Sequence, residues 1–382
     1  MCQLAAHSSC TGCTACAAIC PKGCITMKAD SDGFCYPVVD EAACVDCGLC
    51  ERSCPVLAER RHDQIPKAYA ARSRDTQMRL ASSSGGVFTE LARHVLAQGG
   101  AVCGAVYDEG FRVVHAFAEN EEELARMRGA KYAQSDLEGV FPEIKTRLDR
   151  GQQVLFSGTP CQVAGLLTFL GRPYENLFSV DFVCHGVPSP MVWAEYVRQL
   201  GEVTSINLRA KDTGWSRYRY CHRVVDSKGA VRLIPNGESL YMKLFVGDYI
   251  NRASCSQCVF KGYARGSDLT IGDFWGIWDI APEMDDDRGT SVVLVQSERG
   301  RMLWKSASFG LDVREVALED AGRQNSAMLM PASAAKNRES VLEQIRGGDL
   351  LGCMALFRDR KPTLALRIRN KLSGLLRRLF NA

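Results

Sequence analysis

Residues 10–21 read CTGCTACAAICP, and residues 44–55 repeat the arrangement as CVDCGLCERSCP. Cys10, Cys13, Cys16 and Cys20 stand in a C-x2-C-x2-C-x3-C-P order closed by Pro21, and Cys44, Cys47, Cys50 and Cys54 do the same before Pro55. Three thiolates at this spacing share one tight loop and can hold three corners of a cubane, while the fourth points away and ligates the other cluster. The pattern predicts two 4Fe–4S clusters, one on Cys10, Cys13, Cys16 and Cys54, the other on Cys44, Cys47, Cys50 and Cys20. Sets of four soft thiolates also suit zinc. Two complete copies, each followed by proline, favour iron–sulfur over a pair of zinc knuckles.

The rest of the chain is set against these loops. Its 382 residues exceed one simple core, so two or three domains are expected. Hydrophobic residues at 46% and charged residues at 24% are those of an ordinary globular protein. A formal charge of +3 argues against nucleic acid as a partner. The 18 cysteines would suggest disulfides in a short secreted chain, but the opening MCQLAAHSSCTGC has no basic segment followed by an apolar one. Cysteines bunched at ligand spacing point instead to a reducing cytoplasm and to metal. No apolar run approaches membrane-spanning length.

The fold class expected is α/β (α+β). A small bacterial-type two-cluster ferredoxin domain (1–60) precedes a linker from Glu59 to Pro66. A mixed-sheet α/β domain follows in two parts, 66–150 and 151–317, and a helical tail spans 318–382. Strands are expected at KAYAAR, AVCGAVYD, QVLFSG, LFSVDFVC, INLRAK, YRYCHRVVD, SDLTIGDF and TSVVLVQS, with helices at VFTELARHVLAQ and from about Gln162 to Leu170.

Ten cysteines lie outside the two quartets. Cys255 and Cys258 form a C-x2-C pair, and Cys161 and Cys184 sit at the ends of expected strands. In an α/β sheet such ends converge on one edge, so these four are expected to hold a third 4Fe–4S cluster. A structural zinc, or unrelated cysteines acting as small hydrophobes, are the competing readings. Cys2, Cys24, Cys35, Cys103, Cys221 and Cys353 have no partner at ligand spacing and read as structural.

Two turns open helices with small residues. Ser82, Ser83, Ser84, Gly85 and Gly86 precede VFTELARHVLAQ, and Ser157, Gly158 and Thr159 precede Pro160. Both can present backbone N–H groups to a phosphate, although serine and threonine are also ordinary N-caps. Lys131 is a candidate phosphate or ring contact, with an exposed lysine as the bland alternative.

Several single residues have a functional and a structural reading. His185, beside Cys184, is the candidate proton donor or a satisfied structural histidine. Lys211, Asp212 and Arg217 form a loop that either meets an anionic substrate or is simply solvated. Asp273 and Trp275 either pack near a redox group or belong to the core. Glu121, Glu122 and Glu123 suit a helix start. At the C-terminus, Leu364, Ile368, Leu372, Leu375, Leu376 and Leu379 share a helical face opposite Arg367, Lys371, Arg377 and Arg378. Such a basic amphipathic end can lie on the inner face of a membrane, dock on a partner or pack on its own domain.

The segments SSSGGVFTELARHVLAQGGAVCGAVYD, GAKYAQS, VLFSGTPCQVAGL, VDFVCHGVPSP and CSQCVFKGYARGSDLTIGDFWG together resemble the beta subunits of coenzyme F420-reducing hydrogenases and dehydrogenases, to about residue 316. The resemblance implies FAD beside a cluster inside the catalytic domain. It makes the Ser82–Gly86 turn, Lys131, Ser135 and the Ser157–Thr159 turn FAD contacts, with substrate docking over the flavin ring.

That family also includes a chlorophyll-derivative reductase fed by ferredoxin and bacterial proteins associated with surface-polysaccharide genes, so its name does not select F420. The expectation is a cytoplasmic iron–sulfur flavoprotein oxidoreductase linking a ferredoxin-type low-potential partner to a small organic acceptor. The rivals are a non-catalytic electron-transfer protein that feeds a partner enzyme, with a link to surface-polysaccharide synthesis, and a zinc-bearing interaction protein.

Overall fold

The computed structural model describes residues 2–59 and 64–356. The basic amphipathic stretch from Leu364 to Leu379 and part of the linker lie outside these residues.

The N-terminal segment folds as α1 (Ala15–Ile19), a hairpin of β1 (Ile25–Ala29) and β2 (Cys35–Val39), and α2 (Leu49–Arg52). The sequence repeat is also a backbone repeat. Thr14 follows Cys13 with φ 66° and starts α1; Gly48 follows Cys47 with φ 68° and starts α2. A left-handed residue at the same point of each loop turns the third cysteine back towards the first two. That Thr14, β-branched, accepts this conformation marks a backbone held by its surroundings.

Beyond the linker come β3 (Lys67–Ser73), α3 (Thr76–Ala81), α4 (Val87–Ala97), β4 (Ala101–Tyr107), β5 (Val113–Ala118), α5 (Glu121–Met127) and α6 (Val140–Asp149). Then follow β6 (Val154–Gly158), α7 (Pro160–Leu170), β7 (Leu177–Phe182), α8 (Pro190–Leu200), β8 (Val203–Ala210), β9 (Cys221–Asp226), β10 (Val231–Pro235) and α9 (Leu240–Val246). The last part carries β11 (Leu269–Asp273), α10 (Ile277–Ile280), β12 (Ser291–Val295), α11 (Glu298–Ala307), β13 (Leu311–Val316), α12 (Leu318–Gly322) and α13 (Arg338–Arg346). Among the described residues, the expected helical tail holds two short α-helices, α12 and α13, with irregular chain and single 3-10 turns between and after them.

Eight strands form one mixed sheet in the order β13-β3-β12-β11-β7-β6-β4-β5. Its centre is parallel, β11 with β7, β7 with β6 and β6 with β4. The central strands are buried on both faces, as βαβ crossovers require. Leu155 of β6 faces α4 with Leu91 and Val95, while Val154 and Phe156 face α6 and α7 with Ile144 and Leu166. Removing Phe156 to alanine would cost about 3–5 kcal/mol.

Not every expected strand joins this sheet. β8 and β9 (INLRAK and YRYCHRVVD) pair with β10 in a separate three-stranded antiparallel sheet. This sheet packs with α8, α9 and α13 through Trp193, Tyr241 and Ile345.

The N-terminal segment is built into the larger body. Cys13 and Ala15 share a core with Phe141, Val163 and Leu166 of α6 and α7. Thr168 of α7 donates its hydroxyl to the Ser53 carbonyl at 2.6 Å. Across the molecule, the Asp32 carboxylate at the β1–β2 turn meets Arg346 of α13 at 2.5 Å.

Candidate functional site

The carboxyl ends of the parallel strands face one edge of the sheet, and the chemistry-bearing loops gather there. At β6, the chain passes straight into α7. Thr159 caps the helix and Pro160 opens it, with the Thr159 N–H donating to Gln162 Oε1 at 2.9 Å. Pro at the first helical position costs no hydrogen bond. This tight start puts Cys161 in the first turn, 3.1 Å from the Thr159 hydroxyl.

Cys161 meets Cys184, Cys255 and Cys258 around one cavity, which Thr11, Pro160, His185, Arg252, Phe260, Lys261 and Arg265 also line. Burial pushes the thiols of Cys161, Cys184 and Cys255 up to about 12, and proximity to their fellow cysteines adds to this. Alone, such groups would stay protonated at neutral pH. Holding them as thiolates takes positive charge, which a cluster's iron, the α7 dipole and the flanking cations can supply. The Val187 N–H already points at Cys255 Sγ, 3.4 Å away. The donor set therefore fits a four-thiolate cluster.

The quartets also gather in the crossed pattern. Cys20, Cys44, Cys47 and Cys50 line one surface hollow. Cys16 is pushed up to about 12 by burial, with Cys10 and Cys54 close enough to add to the effect. Burial likewise raises Cys13, next to Cys16 and Cys54. The three sets are contiguous, since Cys16 also feels Cys50 of the surface set and Cys13 feels Cys161 of the inner one. Among the described residues, no three His, Cys, Asp or Glu side chains converge tightly enough for a single metal ion.

Spacing did not reveal two members of the surface hollow. Cys2 and Cys24, read as structural, line it with the quartet, and Cys24 Sγ stands 3.3 Å from Cys20 Sγ. Burial first, then Cys50 and Cys44, push Cys2 up to about 11. A C-x3-C step from Cys20 to Cys24 was the only available hint.

The expected flavin contacts lie along the same sheet edge. Gly85 N–H donates to Ser291 Oγ at 2.9 Å, and a Cβ on Gly85 would stand 2.4 Å from the Ala71 carbonyl. Only glycine lets the turn cross β3 and β12 so closely. Gly86, at φ 86°, then starts α4. Ser82 donates to the Met78 carbonyl and Ser84 to the Thr290 carbonyl, while Ser83 is half-buried.

Lys211 is no solvated loop residue. Its Nζ reaches the carbonyls of Arg79, Ser84 and Arg288, at 2.6, 2.6 and 2.7 Å. Burial lowers its pKa to about 7, with Arg79 adding to the fall. Lys131 Nζ is held by the carbonyls of Arg126, Arg128 and Gly129, and burial lowers it to about 7 as well. All three N–H donors of each ammonium are thus taken by backbone carbonyls, and only Lys211 is tied to the Ser82–Gly86 turn, through Ser84.

The Ser157–Thr159 turn is engaged within the chain. The Ser157 carbonyl lies 3.0 Å from His115 Nε2, and Gln162 Nε2 donates to Ser135 Oγ at 2.8 Å. Gly158 is buried, and the turn leads α7 towards the Cys161 cavity. His185 Nε2 donates to Asp248 Oδ1 at 2.8 Å, with its ring edge-on to Phe245.

Asp273 accepts from Arg209 at 2.9 Å and from Trp215 Nε1 at 3.2 Å, and Trp275 stacks on Trp215 at 4.9 Å. Asp212 pairs with Arg223 at 3.5 Å, and the Arg217 guanidinium lies over the Trp275 ring at 5.9 Å. Glu123 folds back on the N–H of Glu119 at the start of α5, and Glu121 ties Arg93 and Arg128.

Among the described residues, no helix is long and apolar enough to cross a membrane. Residues 68–141 match the N-terminal model, and residues 151–320 the C-terminal model, of the family described as coenzyme F420 hydrogenase/dehydrogenase, beta subunit. Residues 9–58 match a 4Fe-4S dicluster domain. A curated relative, the F subunit of the F420H2 dehydrogenase of Methanosarcina mazei, is 27% identical over 168 residues, covering 41% of this chain and 47% of that protein. The chain thus spans about half the length of that relative. A 7Fe ferredoxin of Hydrogenibacillus schlegelii is 38% identical over 63 residues, 16% of this chain and 74% of the ferredoxin. Among solved structures, a chain of the xenon-derivatised F420-reducing NiFe hydrogenase complex from Methanosarcina barkeri aligns with a TM-score of 0.47 at 18% identity. The alignment covers 73% of this chain and 91% of that one.

Proposed function

The chain belongs to the family of coenzyme F420 hydrogenase/dehydrogenase beta subunits and carries an iron–sulfur electron-transfer unit; from that premise we propose that it is an FAD-dependent oxidoreductase. It passes electrons between a ferredoxin-type protein and an organic hydride acceptor, coenzyme F420 or another. The observation that carries this reading is the contiguity of the three thiol sets, from the surface hollow through Cys10, Cys13, Cys16 and Cys54 to the cavity at the sheet edge.

When bound, 4Fe–4S clusters supply one-electron steps and a flavin joins them to a two-electron one. The chain's own residues set the order and the environment. Cys47 is exposed, so a partner protein meets the surface set first. Cys13 is buried against α7, the helix that begins with Cys161, so the middle and inner sets are held by packing rather than by a flexible link. Pro160 and Phe260 give the inner cavity part of its apolar lining.

Lys211, tied to the Ser84 carbonyl, puts positive charge beside the turn that starts α4, where the anionic part of the flavin would sit, and Lys131 adds a second buried cation on the same sheet edge. Ser84, Gly85 and Gly86 fix how closely it approaches the sheet, with Ser82 and Ser83 shaping the same turn. Ser135, Ser157, Gly158 and Thr159 secure the neighbouring α7 start. His185 keeps a proton on Nε2 towards Asp248, so it donates from Nδ1 only when doubly protonated. The same chemistry suits one component of a larger hydrogenase- or dehydrogenase-type complex.

Anaerobic purification with iron, sulfide and flavin quantified tests the reading. About twelve irons with one FAD, and acceptor reduction by reduced ferredoxin, are expected. About eight irons without flavin would reduce the protein to a carrier that feeds a separate enzyme.

A further inference from the structure

Arg252 is 1% exposed and occupies the wall between two thiol sets. Its Nε donates to the Cys10 carbonyl at 2.8 Å, Nη1 to Gln134 Oε1 at 2.9 Å and Nη2 to the Cys35 carbonyl at 3.0 Å. Nη2 also lies 3.9 Å from Cys10 Sγ, and the guanidinium carbon sits 4.0 Å from the Tyr36 ring centroid. On its other side the same residue lines the cavity of Cys161, Cys184, Cys255 and Cys258, and it immediately precedes the turn that carries Cys255. These oxygen partners are neutral. A guanidinium cannot shed its proton at any working pH, and an interior cation without an anion is strongly disfavoured.

The anion is supplied if both thiol sets are ligated, because four thiolates around an iron–sulfide core leave each unit negative. The positive charge is felt on both sides. The guanidinium touches Cys10 directly, and the same residue lines the cavity of Cys161 and Cys255. An electron added to either unit makes it more negative, so a nearby fixed cation stabilises the reduced form more than the oxidised one.

We propose that Arg252 is a positioning residue shared by two iron–sulfur sites, that of Cys10, Cys13, Cys16 and Cys54 and that of Cys161, Cys184, Cys255 and Cys258. It fixes their separation and raises the reduction potential of both. The inference rests on the cluster reading above. It sets these two sites apart from the Cys20, Cys44, Cys47 and Cys50 site, which Arg252 does not line.

The test is an anaerobic redox titration of the full chain followed by EPR, with iron counted on every sample. Wild type giving about eight irons instead of about twelve would sink the cluster reading itself, separately from this inference. With about twelve irons in wild type, Arg252→Gln should shift two of the three midpoint potentials downward and leave the third in place. Arg252→Lys, which keeps the charge and loses the fork, should shift the same two by less. Gln134→Glu sets a carboxylate against the guanidinium without removing it, and should also lower those two selectively. If Arg252→Gln cannot retain its irons, Gln134→Glu decides. Potentials unchanged in an iron-replete variant, or all three displaced equally, would overturn the proposal.

Discussion

Gly165 of α7 lies so close to Cys13 that a Cβ built on it would stand 2.8 Å from the Cys13 Cβ and 2.9 Å from its Sγ. Neither position can give way easily, because Gly165 is inside a helix and Cys13 is in a loop whose next residue is already left-handed. Gly165→Val should therefore destabilise the protein by about 1–3 kcal/mol through overpacking. It should also lower the iron retained at the Cys10, Cys13, Cys16 and Cys54 site. Thermal unfolding and iron analysis check this, and wild-type values for both would mean that the N-terminal segment can slide on α7.

Asp32 holds the other end of that segment. Its carboxylate meets Arg346 at 2.5 Å and Arg338 at 3.9 Å, and its carbonyl accepts the Ser189 hydroxyl. Asp32→Asn should cost about 1.5–3 kcal/mol, the range for a hydrogen bond to a charged group. Hydrogen exchange should quicken in the hairpin from Ile25 to Val39 before it does so in the main sheet. Uniform exchange across the chain would show instead that the pair is a surface contact of little weight.

Six cysteines surround the surface hollow, and four suffice for a cubane. Because Cys2 and Cys24 lie outside the repeated spacing, Cys2→Ser and Cys24→Ser should keep about twelve irons, whereas Cys44→Ser should lose about four. A loss of about four irons on replacing Cys24 would move that residue into the ligand set.

Local pattern carried part of this architecture. The cysteine loops were legible because three ligands of each site are consecutive in the chain. β3, β4, β6, β7, β11 and β12 stood out as apolar runs bounded by Gly, Ser and Pro, and the helix expected from about Gln162 starts two residues earlier, at Pro160. β10 and β13 were missed because they are edge strands with mostly exposed or half-buried residues, VRLIP and LDVREV. β5 was missed although it is partly buried, since VVHAFA lacks clear alternation. That β8 and β9 leave the main sheet depends on packing against α8, α9 and α13, which no local pattern encodes. The meeting of Cys161 and Cys184 with Cys255 and Cys258 was reached from strand-end geometry and resemblance together. Arg252 gave no signal at all, because an arginine between two sites looks like any other until the chain is folded.

Lys131 provides a pH test of the flavin site. Burial lowers its pKa to about 7, so the ligand-free protein carries the ammonium charge only in part at neutral pH. An anionic phosphate beside it favours the charged form and raises that pKa, so binding takes up protons. Affinity should then be greatest below pH 7 and weaken as the pH rises from 7 towards the raised value in the complex. Lys131→Met should weaken FAD binding by roughly tenfold at pH 6 through loss of a buried positive charge, since all three N–H groups already bond carbonyls, and flatten the pH dependence. Fluorescence titration of the flavin-stripped protein from pH 6 to 9 checks the profile, and calorimetry in two buffers of different ionisation enthalpy counts the protons. An affinity independent of pH, with no proton taken up, would place the anion elsewhere on the sheet edge and leave Lys131 as a cap on the carbonyls of Arg126, Arg128 and Gly129.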